Sequence, residues 1–118
     1  GHSDGVMTFF FDIRDGDRTL RVGYFGGAGF NTLYKEALEK AGRPLSVRDD
    51  FLRSFARVRD EKVDIVLGNH PHQNETLKKR EAMLAGPEGK NPFIDPGEWR
   101  SFCDAMTEQF RAFLSTGK

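Results

Sequence analysis

The stretch Val63–Leu84, VDIVLGNHPHQNETLKKREAML, constrains the fold more than any other part of the chain. It begins with a nearly continuous apolar run, Val63–Leu67, of the kind that forms a strand buried on both faces of a sheet. A polar turn interrupts that run, and a helical pattern follows over 75–84, for which Asn74 is the predicted N-cap. A buried strand that leads directly into a helix indicates an α/β fold.

The turn between this strand and this helix contains His70 and His72, on either side of Pro71. Proline fixes its own backbone and restrains the preceding residue to an extended conformation, so His70 is held in place. Neutral imidazole is the commonest protein ligand for zinc, and a ligand on a stiff loop loses little entropy on coordination. Two histidines are too few for a closed zinc site, so a surface turn without metal explains the local pattern equally well.

The N-terminal part of the chain has the pattern of a β-hairpin. Segments 6–13 and 19–25 are rich in β-forming residues and flank the turn Asp15-Gly16. The run Phe9–Phe11 predicts a first strand with both faces covered, as in the centre of a sandwich.

Helical periodicity appears in three further segments: 31–40, 47–60 and 96–114. The last of these has a wide apolar stripe that includes Trp99 and Cys103, and we expect it to pack in the core, with Cys103 a small buried residue rather than a reactive thiol. No repeat or low-complexity segment divides the chain, so we expect a single unit over 1–118.

These segments resemble a known family, the zinc hydrolases of the metallo-β-lactamase fold, and especially the subgroup close to the B3 lactamases. The segment 47–55 is similar to the family helix that precedes a strand ending in a metal-binding His-Pro, here His70-Pro71. The start GHSDG is similar to the family's G-H-T-P-G segment, whose histidine is also a zinc ligand, with Asp4 replacing the proline. The turn Gly26–Asn31 looks like the glycine-rich turn beside the active site. Together the similar segments cover nearly the whole chain.

The resemblance implies that the chain is the C-terminal half of an αββα metallo-β-lactamase sandwich, made of a β-hairpin, a helix, a buried strand and further helices. Family members are longer, and their first half supplies an H-x-H-x-D-H motif that this sequence lacks. The implied function of the parent protein is zinc-dependent hydrolysis, in which a metal-activated water attacks a lactam, ester or thioester bond of a small-molecule substrate. The chain by itself is expected to be inactive.

Motif matching also implies roles for individual residues. His2 and His70 match zinc ligands of the parent, which would hold two zinc ions, whereas zinc binding by this chain alone is expected to be weak or absent. The resemblance places Gly29 and Asn31 in the turn beside the metals, where they would border the substrate. His72 matches no ligand of the family and is interpreted as a residue at the mouth of the substrate site, a neighbour of the zinc ligands or a solvent-facing residue, and no catalytic residue is assigned. Two other interpretations remain: a non-catalytic binding or assembly module with structural histidines, and a small metal-binding protein that uses His70 and His72 directly, for which no carboxylate ligands stand nearby in the sequence.

The composition and the motifs of the chain limit the classes of molecule that it is expected to bind. Lys plus Arg and Asp plus Glu each number 18, which gives no bias toward nucleic acid or an anionic membrane. The glycine cluster at 26–29 lacks the spacing of phosphate-binding loops, which argues against nucleotide binding. No apolar run is long enough to span a bilayer, and no signal pattern opens the chain. Because the resemblance implies that the native N-terminus is absent, periplasmic, secreted and cytoplasmic locations all stay open. Because half a sandwich leaves a sheet edge or face uncovered, we expect a homodimer or a domain-swapped oligomer.

Overall fold

The computed structural model describes residues 2–118, and these residues form two compact units. The helical unit, as we call it, contains residues 2–6, Gly27–Glu61 and Arg100–Lys118, and the sheet unit contains Met7–Gly26 and Lys62–Trp99. Each is assembled from segments distant in sequence. The expectation of a single unit over the whole chain stays a prediction.

The sheet unit is built on a three-stranded sheet of order β1-β2-β3. Strands β1 (Thr8–Asp15) and β2 (Arg18–Phe25) form the predicted antiparallel hairpin, and β3 (Ile65–Gly68) runs parallel to β2 with Ile65 opposite Val22. Parallel neighbours require a long connection, and here residues 26–64 supply it. The hairpin and the buried strand before the histidines are therefore confirmed.

One face of this sheet is only partly covered. Leu20, Val22 and Ile65 form a buried cluster under the partly buried side chains of Phe93 and Ile94. The prediction that β1 is a central strand with both faces covered is wrong, because β1 lies at the edge of the described sheet. Its side chains on this face, Phe9, Phe11 and Ile13, are 47%, 45% and 38% exposed.

The opposite face of the sheet packs on Trp99, which is 1% exposed. The Trp99 ring lies 5.3 Å from the Phe10 ring and 6.3 Å from the Phe25 ring, measured between centroids. Large buried aromatic pairs of this kind contribute both area burial and edge-to-face attraction. The predicted core role of this part of the terminal stripe is confirmed.

Helix α3 (Thr76–Ala85) follows the histidine turn, and its predicted cap is wrong. Glu75, not Asn74, stands before the first helical residue, with a left-handed backbone (φ 53°) and no side-chain capping bond. Asn74 is 5% exposed, and its Nδ2 donates to the Val66 carbonyl oxygen at 3.0 Å. The amide side chain therefore ties the turn to β3 instead of capping the helix.

The helical unit contains a 3-10 turn at Asn31–Leu33, helices α1 (Lys35–Lys40) and α2 (Val47–Val58), and the part of α4 (Glu98–Ser115) from Arg100 onward. Its core is aromatic. Phe51, Phe55 and Phe110 are all 0% exposed, and the Phe51 and Phe110 rings are 4.7 Å apart. No helix of the described residues is long and apolar enough to cross a membrane.

Charged side chains connect the elements within the helical unit. Arg48 is 8% exposed, and its Nε donates to the Leu33 carbonyl oxygen at 2.8 Å. The Arg59 guanidinium makes a bidentate pair with the Asp104 carboxylate, and these hydrogen bonds hold the pKa of Asp104 below its ordinary value. Thus α2 and α4 are joined by an ion pair as well as by apolar packing.

Candidate functional site

His2 is partly buried in the helical unit and is held by the glycine-rich turn. Its Nδ1 donates to the Gly29 carbonyl oxygen, and its own carbonyl accepts a hydrogen bond of 3.1 Å from the Thr32 hydroxyl. In the neutral imidazole, this hydrogen bond places the proton on Nδ1 and leaves Nε2 with the lone pair that a metal requires. Gly1, the first residue of the matched GHSDG segment, lies outside the described residues.

Gly27 makes room for the His2 side chain. A Cβ at position 27 would lie 2.9 Å from the His2 Cβ, a distance that real Cβ atoms essentially never show, and 3.0 Å from its Cγ. Asp4, which stands where the family has proline, pairs with Arg43 instead. The segment before the hairpin is therefore anchored to the helical unit at both residues.

The structure brings three of the predicted site residues together around this turn. A Cβ at Gly29 would lie 3.9 Å from both the Asn31 Oδ1 and the His2 Cε1. Gly29 and Asn31 are exposed, so both are accessible to a ligand at the surface of the helical unit. The assignment of Gly29 and Asn31 to substrate binding stays a prediction.

His70 and His72 lie in the sheet unit, in the turn after β3. Both are exposed, and their rings stack with 5.5 Å between centroids and 10° between planes. The backbone of the turn is fixed by Gln73, whose Oε1 accepts from the His70 N–H at 3.3 Å. A Cβ at Gly68 would lie 2.7 Å from the Gln73 Cβ, so glycine is needed at the end of the strand.

The neighbouring residue Asn69 is held by the hairpin. Its Oδ1 accepts a hydrogen bond from the Tyr24 hydroxyl, at the end of β2. Sequence reasoning missed this contact, and it also missed the roles of Gly27, Thr32 and Gln73. The sequence signal that could have suggested the Tyr24 contact is the order strand, helical segments, strand along the chain, which favours parallel pairing of β2 with β3. The carboxyl ends of parallel strands lie side by side.

The donor set falls short of a complete zinc site. Among residues 2–118, no group of three or more His, Cys, Asp or Glu side chains is arranged to hold a metal ion. His2 in the helical unit and the His70–His72 pair in the sheet unit offer imidazoles, but a stable zinc site requires about four ligands. Burial raises the pKa of the Cys103 thiol to about 12, so Cys103 supplies no thiolate at neutral pH.

Solved structures of metallo-β-lactamases match this architecture over nearly the whole chain. The subclass B3 enzyme BJP-1 of Bradyrhizobium japonicum matches 98% of the chain with a TM-score of 0.73 and 27% identity, and FEZ-1 of Legionella gormanii matches 98% with a TM-score of 0.81 and 22% identity. The fold is part of the metallo-β-lactamase fold. The resemblance seen in the sequence is thereby confirmed.

The match covers only part of each metallo-β-lactamase. The chain spans 42% of the length of BJP-1 and 43% of the length of FEZ-1. A third metallo-β-lactamase, SMB-1 in a complex with mercaptoacetic acid, matches 94% of the chain at 18% identity and a TM-score of 0.74, and the chain spans 41% of it. No protein-family model matches the sequence, and comparison with curated proteins returns no match.

Proposed function

We propose that the chain is the C-terminal part of a zinc-dependent hydrolase with the metallo-β-lactamase fold, and that the intact protein cleaves a lactam, ester or thioester bond of a small-molecule substrate. The observation that carries this proposal is the match of 98% of the chain to metallo-β-lactamases more than twice its length. Fold alone does not select one substrate among those bonds, so the proposal extends to the bond class only.

In this proposal His2 and His70 each contribute one imidazole to zinc. Two features of the described residues support these roles. His2 has its Nδ1 occupied by the Gly29 carbonyl, which is the arrangement that metal-ligating histidines favour. His70 sits on a turn whose backbone Gln73 restrains. Gly29, Asn31 and His72 would border the substrate in the intact protein.

The chain by itself is proposed to be inactive. Zinc affinity comes from several convergent ligands, and residues 2–118 include no group of three. We therefore assign no reaction step to the chain alone. A panel of chromogenic lactam, ester and thioester substrates should show no zinc-dependent turnover above the uncatalysed rate, and robust turnover would contradict this part of the proposal.

The test of the ligand role is zinc titration of the purified chain, followed by calorimetry and native mass spectrometry. We expect weak zinc binding that His70→Ala reduces at least about tenfold, while the matched control His72→Ala, which removes the neighbouring imidazole, changes affinity little. Equal zinc affinity of the unmodified chain and of the His70→Ala variant would contradict the role proposed for His70.

The alternative function is a non-catalytic binding or assembly module, and the exposed aromatic side chains of β1 favour it. Phe9 and Phe11 are 47% and 45% exposed, an unusual state for two phenylalanines on one strand face. Under this alternative, zinc would bind the unmodified chain no more tightly than it binds the double variant His2→Ala/His70→Ala. Trp99 is 1% exposed and belongs to the core, so its replacement cannot serve as a test of assembly.

A further inference from the structure

A buried ion pair joins α3 to the start of α4 within the sheet unit. The Lys79 Nζ donates to the Glu98 Oε2 at 2.6 Å, and the two side chains are only 10% and 22% exposed. The same ammonium lies 5.6 Å from the centre of the Phe93 ring, a cation–π contact. Lysine is almost never buried unless it is paired. The contact therefore fixes α3 relative to the loop and the helix that follow it.

The energetic balance of this pair favours orientation over net stability. Burial raises the pKa of the Glu98 carboxyl although Lys79 lies beside it, so the loss of hydration outweighs the attraction. Apolar side chains often replace a buried ion pair without loss of stability. The pair nevertheless selects one orientation of the elements that it joins, because both buried charges lose their partner in any other.

The turn that carries His70 is hydrogen-bonded to the first residues of α3. The Gln73 N–H donates to the His70 carbonyl oxygen at 3.0 Å, and the Thr76 N–H donates to the Pro71 carbonyl oxygen at 2.9 Å. Thr76 is the first residue of α3, and Lys79 follows it by less than one helical turn. Movement of this end of α3 is therefore passed to the main chain of His70 and Pro71.

The junction between the turn and α3 is strained. Glu75 has a left-handed backbone with φ 53°, and no other non-glycine residue among 2–118 has a positive φ. Such a conformation persists only where the surrounding structure imposes it. The Lys79 N–H donates to the Glu75 carbonyl oxygen at 2.9 Å, so the strained residue is bonded directly to the residue that makes the ion pair.

We propose that Lys79 is a positioning residue for His70, because its ion pair with Glu98 holds the first turn of α3 and that turn holds the His70 main chain. Without the pair, Glu75 relaxes from its left-handed backbone and the His70 imidazole occupies a wider range of positions. A ligand that must be ordered on binding loses more entropy, so zinc binds less tightly. The zinc role of His70 rests on the proposed function, whereas the coupling of the ion pair to the turn does not.

Amide hydrogen exchange measured by NMR tests this coupling. In Lys79→Met, which keeps an apolar stem and removes the charge, we expect the Gln73 and Thr76 amides to exchange at least about tenfold faster, while amides of the hairpin keep their rates. The strong NOE between the amide and α hydrogens of Glu75, which marks a positive φ, should weaken. The matched control is Lys78→Met on the same helix, since the Lys78 side chain is 78% exposed. Unchanged exchange of the two turn amides, or an equal increase throughout the sheet unit, would overturn the proposal.

A second variant removes the charge from the other side of the pair. Glu98→Gln keeps the size of the side chain, and its amide oxygen still accepts from the Lys79 ammonium, so the same turn amides should exchange about threefold faster. Because the substitution lies on α4, a response of the turn after β3 reports transmission through the pair. Unchanged turn amides in folded Glu98→Gln would overturn the proposal even where Lys79→Met does not fold.

Zinc titration separates this proposal from the proposed function. We expect Lys79→Met to weaken zinc binding about threefold, less than His70→Ala does, and Lys78→Met to leave it unchanged. Weaker binding in His70→Ala with unchanged binding in Lys79→Met would overturn the positioning role. Equal zinc binding by the unmodified chain and His70→Ala, together with faster exchange of the turn amides in Lys79→Met, would contradict the zinc role of His70 and support the coupling.

Discussion

The surroundings of His2 and His70 differ in what they hold in place. Around His2 the glycine-rich turn holds the imidazole itself, through the Gly29 carbonyl and the space that Gly27 leaves. Around His70 the turn holds the backbone, through Gln73, while the ring is exposed and contacts the His72 ring. A histidine can thus be restrained through its ring or through its main chain. Of the two proposed zinc ligands, His2 is restrained through its ring and His70 through its main chain.

The largest expected effect concerns the turn that holds the His70 backbone. Asn74→Asp removes the Nδ2 donor to the buried Val66 carbonyl and places a carboxylate beside that oxygen. We expect a loss of about 3 kcal/mol in the free energy of unfolding, because the buried Val66 carbonyl loses its donor and faces a buried carboxylate that keeps only the Thr76 hydroxyl as a hydrogen-bond donor. If Asn74 were an N-cap, the same change would be neutral or stabilising, since aspartate caps helices well and favours their N-terminal dipole.

Chemical denaturation monitored by circular dichroism measures this loss. The matched control is Asn91→Asp, an exposed amide whose Oδ1 accepts from the Phe93 N–H at 2.9 Å, a contact that a carboxylate can also make. We expect the control to change stability by less than about 0.5 kcal/mol. Equal stability of the parent chain and Asn74→Asp would show that the Asn74 side chain does not hold the turn.

A smaller effect is expected where the ring of His2 is held. Gly27→Ala introduces a Cβ 2.9 Å from the His2 Cβ, so the histidine must move away from the Gly29 carbonyl. We expect a cost of about 1–2 kcal/mol and a change in the NMR signals of the His2 ring nitrogens as Nδ1 loses its acceptor. Gly5→Ala, with no heavy atom within 4 Å of the added Cβ, is the control in the same segment. Unchanged His2 signals in Gly27→Ala would remove the proposed role of Gly27.

The smallest expected effect is an opposite response of the two units to acid. The pKa of Asp104 in the helical unit is lowered by the Arg59 hydrogen bonds, so its stabilising contribution is present above its ordinary value of 3.8 and is lost as pH falls through the folded value. In the sheet unit, burial raises the pKa of Glu98 despite the hydrogen bond from Lys79. The stabilising contribution of Glu98 is therefore present below its ordinary pKa of 4.5 and is lost as pH rises through its pKa in the folded chain.

The opposite pH dependence is measured by unfolding curves recorded across the acid range. The unmodified chain is compared with the variants Asp104→Asn and Glu98→Gln. Relative to the parent chain, the stability deficit of Asp104→Asn should shrink as pH falls, whereas that of Glu98→Gln should grow. Parallel pH profiles in all three proteins would contradict both assignments.

Much of the fold follows from local pattern. The hairpin, the strand before His70, and the helix containing Phe51 and Phe55 were all predicted, because alternation and helical periodicity are local consequences of burying one face of an element. The exposure of the Phe9 and Phe11 side chains was not predicted. A run of aromatic residues shows that a strand can be buried, but whether anything covers it depends on the rest of the assembly.

The candidate site divides in the same way. The position of His70 at the end of a strand was visible in the sequence, and so was the glycine-rich character of the turn around Gly29. The contacts of Gly27 with His2, of Tyr24 with Asn69 and of Asn74 with Val66 were not, because each joins residues that only the folded chain brings together.

The sequence by itself determined the type and order of the elements, the turn that carries His70, and the resemblance to the metallo-β-lactamases. These rest on backbone propensity and on the periodicity of apolar side chains, which act over a few neighbouring residues. The tertiary structure alone decided which ring and which backbone are held, and which face of β1 is left open. Those outcomes depend on hydrogen bonds and close contacts between segments far apart in the chain, which no local pattern encodes.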